Sequence, residues 1–312
     1  MASEAHTLQE AAMRYLAIRT EQLTIHHGQR RGVDNISLDV EPGEVFGVLG
    51  LKGAGKTTLI QSLAGELQPT SGQVLIFGME YRSRRKQILP RVGYVPQSTC
   101  RHLIGTVESR FRSVGSAIGG AAWAEAICLA DQIGLDLHQP LRSLSIQENT
   151  LMTLVAAWMH SPDLLLLDEP SRVLTIQQQE VLHQWIRQAR MQGKSIFIAS
   201  SSSAEMERLC DRAAVIHRGA LVALERGVNL RAKSLRRVEM RFATPVPMDM
   251  FFSLPNLEDV YLEENKFSCV LRGDPDALIK LASRYRVIDL TSQQLSLDEV
   301  FRRNYGISTA AA

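Results

Sequence analysis

The hydrophobic positions of this chain change their period more than once. Tyr15 to Ile25 alternates as a strand does, and Val33 to Val40 (VDNISLDV) repeats that pattern. Glu41-Pro42-Gly43 is the turn into Glu44 to Leu49 (EVFGVL), which reads as a buried strand. Helical spacing takes over from Lys56 to Leu67, and Gln73 to Phe77 and Val92 to Val95 read as further strands. Between Thr99 and Pro162 the strand signals vanish. Helical patterns replace them, including Trp123 to Ile133 and Ser145 to Met159. Strand and helix then alternate again. Asp163 to Leu167 is a continuous apolar run, as expected of a parallel strand buried on both faces. Gln177 to Gln192 is a helix, Ser195 to Ala199 a strand, and Ala204 to Cys210 a helix with Ser202 and Glu205 at capping-box spacing. Ala213 to His217 and Leu221 to Leu224 close this part, an α/β frame with a helical insertion.

From about Leu235 the order becomes strand 236–243, helix 247–253, strand 257–262, strand 267–272, helix 275–283 and strand 286–290. That βαββαβ order is the ferredoxin-like arrangement. A final helix is expected over Ser296 to Tyr305. The organisation expected is a polar lead-in at 1–14, an α/β domain over 15–230 with its helical insertion at about 98–160, and a small α+β domain over 235–306.

Composition narrows the classes. With 312 residues, 45% hydrophobic and 22% charged, the chain can bury two cores. A net charge of +2 gives no reason to expect a nucleic-acid partner, and the run Arg82-Ser83-Arg84-Arg85-Lys86 reads as a solvated helix or loop. The four cysteines are far apart and show no metal spacing, as for free thiols in a reducing compartment. No apolar run approaches a membrane span, and the first residues lack the apolar core of a secretory signal. A membrane role would have to come through a partner.

The chemistry concentrates at Gly50-Leu51-Lys52-Gly53-Ala54-Gly55-Lys56-Thr57-Thr58, which fits G-x-x-x-x-G-K-[ST] between a strand and a helix. Glycines let backbone N–H groups turn inward and line an anion site. Lys56 supplies a point charge for outer phosphates, and the Thr57 hydroxyl can ligate Mg²⁺. The helix that follows would turn its positive N-terminus to the same phosphates. A second site element is Asp168-Glu169-Pro170, at the end of the leucine strand. Asp168 there can hold Mg²⁺ through water, and Glu169 can orient or deprotonate an attacking water.

With both elements in place, residues 15 to about 230 resemble the ATP-binding subunit of ABC transporters. The last 75 or so residues look like the small extra domain of the drug- and antibiotic-exporter branch, down to an ending similar to Ser296-Leu297-Asp298-Glu299-Val300-Phe301. The resemblance implies a P-loop ATPase core with an α-helical subdomain and an antiparallel β part. It implies ATP and Mg²⁺ as cofactors, and a separate membrane permease and a second ATP-binding subunit as partners. It also implies a place on the cytoplasmic face of the membrane, reached through the permease. Gln97, in Val92-Gly93-Tyr94-Val95-Pro96-Gln97, matches the glutamine that senses Mg²⁺ and the γ-phosphate, and His27 falls where an aromatic residue stacks on adenine.

Other family motifs are degenerate. The signature segment, usually LSGGQ, falls on Leu144-Ser145-Ile146-Gln147-Glu148, with Leu144 24 residues before Asp168 (168 − 144). In the family this segment opens a helix against the ATP of the opposite subunit. Ile146 places a branched side chain, and Glu148 a negative charge, where a polyphosphate should approach. Ser145 can still cap the helix. Thr175 stands in place of the D-loop aspartate, and Ser201 in place of the switch histidine. A homodimer would carry this damage twice at each site, so pairing with a normal subunit is favoured. Three readings stay open: an exporter ATPase with weakened hydrolysis, a regulatory subunit that binds ATP and barely hydrolyses it, and a soluble ABC protein without a permease.

Overall fold

The computed structural model describes residues 16–27, 30–97, 104–118, 122–226, 235–295, 299 and 303, with the side chains of residues 27, 30, 31, 117 and 118 excepted. The lead-in at 1–14 and most of the expected helix at Ser296 to Tyr305 lie outside them, though Glu299 and Arg303 are helical. The chain forms two compact units, divided at Ser201/Ser202, Glu207/Arg208 and Leu224/Glu225.

In the first unit, β1 (Ile18–His27) and β2 (Arg30–Val40) form an antiparallel pair, and β3 (Val45–Leu49) leads through the phosphate-loop segment to α1 (Lys56–Leu63). Helix α1 is a turn shorter than the expected Lys56 to Leu67. It caps at Ala64, and Gly65 then takes φ +71°, a left-handed exit that glycine adopts without strain. Next come β4 (Ser71–Ile76), the short β5 (Met79–Glu80), α2 (Tyr81–Ile88) and β6 (Val92–Val95). The insertion contributes α3 (Val107–Ile118), α4 (Trp123–Gln132) and α5 (Ile146–Trp158). The frame resumes with β7 (Leu164–Asp168), α6 (Ile176–Met191), β8 (Ser195–Ser200), α7 (Ser203–Leu209), β9 (Arg212–His217) and β10 (Ala220–Arg226), although α7 as far as Glu207 and β10 from Glu225 group with the second unit.

Two sheets result. One runs β2-β1-β4-β5 and is antiparallel; the other runs β10-β9-β3-β8-β7-β6, and β9, β3, β8, β7 and β6 pair in parallel. Strands β3, β7 and β8 are buried at every position, as central parallel strands with helices on them must be. Helix α1 packs on β7 and β8, α5 on β6, and α6 on β8. Phe46 of β3 and Phe197 of β8 stack with centroids 5.7 Å apart. Parallel strands all end at one edge of the sheet. The loop after β3, Asp168 at the end of β7 and the residues after β8 therefore meet at that edge, where such sheets hold ligands.

The second unit is built on β11 (Leu235–Phe242), α8 (Asp249–Phe252), β12 (Leu257–Glu263), β13 (Lys266–Arg272), α9 (Asp276–Ala282) and β14 (Val287–Gln294). Its sheet order, β12-β13-β11-β14, is antiparallel throughout, the ferredoxin-like topology. Phe242, Phe251 and Phe267 centre its core, with the last two rings 4.2 Å apart. Among the described residues no helix is long and apolar enough to cross a membrane.

Candidate active site

Helix α1 begins without a side-chain cap. Its N-cap is Gly55 at φ +104°, and a Cβ there would lie 2.2 Å from the Gly32 carbonyl oxygen, so glycine is required twice over. The first-turn N–H groups are thus left to whatever approaches from the loop. Lys56 is 6% exposed. Its ammonium donates to the carbonyls of Gly50 (2.7 Å) and Leu51 (3.2 Å) and pairs with Glu169 Oε1 at 3.0 Å.

Glu169 is held from three sides. Its φ is +50°, an uncommon angle for a side chain of this size. Its backbone N–H donates to the Ala199 carbonyl at 2.8 Å, fixing it to β8. Its Oε2 accepts the Ser201 hydroxyl at 3.1 Å. Lys56, Glu169 and Ser201 form one connected chain across the ends of β3, β8 and β7.

Asp168 is 1% exposed, and neither carboxylate oxygen has a hydrogen-bond partner. Burial pushes its pKa up to about 6, with the neighbouring Glu169 charge adding to the rise; the nearby Thr57 hydroxyl, Lys56 and the Gln97 backbone amide oppose it. An orphaned buried carboxylate beside a threonine hydroxyl fits a hard divalent cation such as Mg²⁺, which takes oxygen ligands and completes its shell with water and phosphate. The residues brought together around one cleft of 580 Å³ include Lys52, Gly53, Gly55, Lys56, Thr57, Thr58, Gln97, Glu169 and Ser201. Gly50, Leu51 and Ala54 complete the loop, Ala54 donating to the Leu51 carbonyl at 3.1 Å. His27 ends β1, and its side chain lies outside the described residues. Sequence reasoning passed over Gly32 and Arg172, which also line the cleft. Arg172, close behind Asp168-Glu169-Pro170, was a visible cation signal.

The signature segment is built differently. Ser145 N-caps α5: its hydroxyl accepts the Glu148 N–H at 3.2 Å, and the Glu148 carboxylate accepts the Ser145 N–H at 2.7 Å. Gln139 donates to the same carboxylate at 3.1 Å, and these bonds hold the Glu148 pKa below its ordinary value. Thr175 caps α6 in the same way with Gln178, whose Oε1 also accepts from Gln147 at 2.6 Å. Ile146 is 57% exposed at the mouth of α5.

Residues 33–172 match the family model described as ABC transporter. The bacitracin transport ATP-binding protein of Bacillus licheniformis is 31% identical over 66% of this chain and 68% of its own length. The Nod factor export ATP-binding protein of Paraburkholderia xenovorans is 32% identical over 66% and 70%. A solved ATP-binding subunit of an ABC transporter superposes with a TM-score of 0.62 at 22% identity, covering 67% of this chain and 90% of that one.

Proposed function

This chain belongs to the ATP-binding proteins of ABC transporters, and on that premise we propose that it binds Mg-ATP in the cleft around Lys56 and uses ATP, with weakened hydrolysis, to drive a separate membrane permease in the export direction. The family ordinarily hydrolyses ATP; the weakening is our reading of this chain. The relatives named for bacitracin transport and Nod factor export support the direction. Residues 15–230 are the ATPase domain and 235–306 the accessory domain in this reading. The chain works at the cytoplasmic face of the membrane through the permease, beside a second ATP-binding subunit that differs from it.

The observation that carries this reading is the junction of Lys56, Glu169 and the orphaned Asp168 at one edge of the sheet. Backbone amides of residues 53–58 and the Lys56 ammonium receive the outer phosphates. Thr57 and Asp168, with Gln97 beside them, would hold Mg²⁺, which would supply positive charge to the phosphates. A γ-phosphate arriving at Lys56 takes the contact that Glu169 Oε1 now occupies. That oxygen is then free to accept a proton from water attacking the γ-phosphorus as the bond to the bridging oxygen breaks and ADP leaves, while Ser201 keeps Oε2 in place. Ser201 is therefore a positioning residue. It lacks the imidazole that could also reach the phosphate.

Hydrolysis is weakened at two places, through Ser201 in this cleft and through Ile146 and Glu148 toward the partner's ATP. A regulatory subunit that binds ATP and barely turns it over is the second reading. The self-capped start of α5 favours it and the retained Glu169 opposes it. Phosphate release by the purified chain at saturating Mg-ATP separates the readings from an ordinary ATPase: the proposal expects turnover well below about 10 s⁻¹, the enzyme median, and a rate at that level refutes the weakening.

A further inference from the structure

Arg172 lines the nucleotide cleft with Glu169 and Ser201, and neither the Mg²⁺ set nor the proton transfer to Glu169 uses it. Its backbone is pinned. The Arg172 N–H donates to the Glu169 carbonyl at 3.2 Å, which closes a turn over residues 169–172. The ends of such a turn hold their Cα atoms within about 7 Å of each other. The buried Leu174 donates its N–H to the Ser171 carbonyl at 3.2 Å. The Gln179 amide on α6 donates to the carbonyls of Ser171 and Leu174, at 3.1 Å each. The Arg172 side chain therefore starts from a fixed point one turn from Glu169, at the end of the cleft where the outermost phosphate arrives. Arg172 is exposed, and its guanidinium makes no hydrogen bond or ion pair among the described residues. The charge of Lys56, by contrast, is shared with Glu169 at 3.0 Å. Ser201, which holds the other oxygen of Glu169, brings no charge to this end.

We propose that Arg172 reads the outermost phosphate of the bound nucleotide and so sets the preference of this chain for ATP over ADP. The inference rests on the Mg-ATP reading and adds a residue to it. A guanidinium fork takes two oxygens of one phosphate in two-bond geometry, and it stays protonated throughout. A cation without an acidic partner in a cleft of this kind also raises the local concentration of a polyphosphate. The loop amides and Lys56 act on either nucleotide. Arg172 lies beyond them, beside Glu169, and ADP is one phosphate too short to engage it.

The test titrates the full-length chain with the non-hydrolysable β,γ-imido analogue of ATP and, separately, with ADP. Both titrations are made by calorimetry at fixed free Mg²⁺, for the unaltered chain, Arg172→Gln and Arg172→Lys. Arg172→Gln should weaken binding of the triphosphate roughly tenfold and that of ADP less than about twofold. Arg172→Lys should recover part of the difference, because it restores the charge without the fork. The turn is closed by backbone groups and the side chain is exposed, so the circular dichroism spectrum should stay unchanged. Equal losses for the two nucleotides, or triphosphate affinity unmoved in Arg172→Gln, overturn the proposal and leave the Mg-ATP reading in place. An unaltered chain that binds neither nucleotide overturns that reading, and the proposal with it.

Discussion

Helices α1 and α5 belong to the same domain and begin in opposite ways. Helix α1 starts at a left-handed glycine with no side-chain cap, and a buried lysine is its first residue. Helix α5 starts at a serine locked into a capping box with its own glutamate, and α6 repeats the device with Thr175 and Gln178. An open N-terminus keeps its amide donors and its positive end for an external anion. A capping box spends amide donors on its own side chains, and in α5 it also places a carboxylate where the anion would come. The degeneracy of the signature is therefore more than missing glycines. The Glu148 carboxylate takes up the Ser145 N–H and the Gln139 amide as donors.

The comparison breaks most sharply at Lys56. Lys56→Ala should lower affinity for a fluorescent ATP analogue about a hundredfold or more, because the outer phosphates lose the buried point charge of the loop. Unchanged affinity would remove the anion site from α1. Next in size is Glu169→Gln in a complex with the partner subunits. Turnover should fall on the order of a hundredfold with ATP retained, since the carboxylate that accepts the proton is gone. Undiminished phosphate release would leave only the regulatory reading.

The phosphate end was legible in the sequence and the capped end only half so. Gly50 to Thr58 between an apolar strand and a helix left little room for another arrangement, and the βαββαβ order gave the second sheet's topology. From sequence Ser145 reads as a cap and Glu148 as a repulsive charge, yet Ser-x-x-Glu is the capping-box spacing, as Thr175-x-x-Gln178 is. The Lys56–Glu169 pair and the Ser201–Glu169 bond were beyond sequence reasoning. They depend on β8 lying between β3 and β7, and strand order is a tertiary fact.

Smaller effects sharpen the contrast. Asp168 has its pKa raised to about 6. A raised carboxylate favours the protonated folded state, so its contribution to the stability of the ligand-free chain is fully present below about pH 4 and is lost as pH rises through 6. Mg²⁺ needs the ionised form, so Mg-dependent ATP affinity should move the other way. It should weaken by up to about tenfold per pH unit below 6, measured by the same titration at fixed free Mg²⁺. A flat profile would place the cation elsewhere. Ser145→Ala should cost about 1 kcal/mol in chemical unfolding, the usual loss of an N-cap, with ATP affinity of this chain unchanged. A drop in affinity would mean that the capped end serves this chain's own nucleotide.

The most direct test is amide hydrogen exchange on the complex with its partner subunits, with and without Mg-ATP. The open start of α1 should gain protection over residues 53–58, while Ser145, Glu148 and Asn149, whose N–H groups are already bonded, should exchange at the same rate in both states. Nucleotide-dependent protection at those three residues equal to that at 53–58 would contradict the account, because the signature end would then be receiving a phosphate.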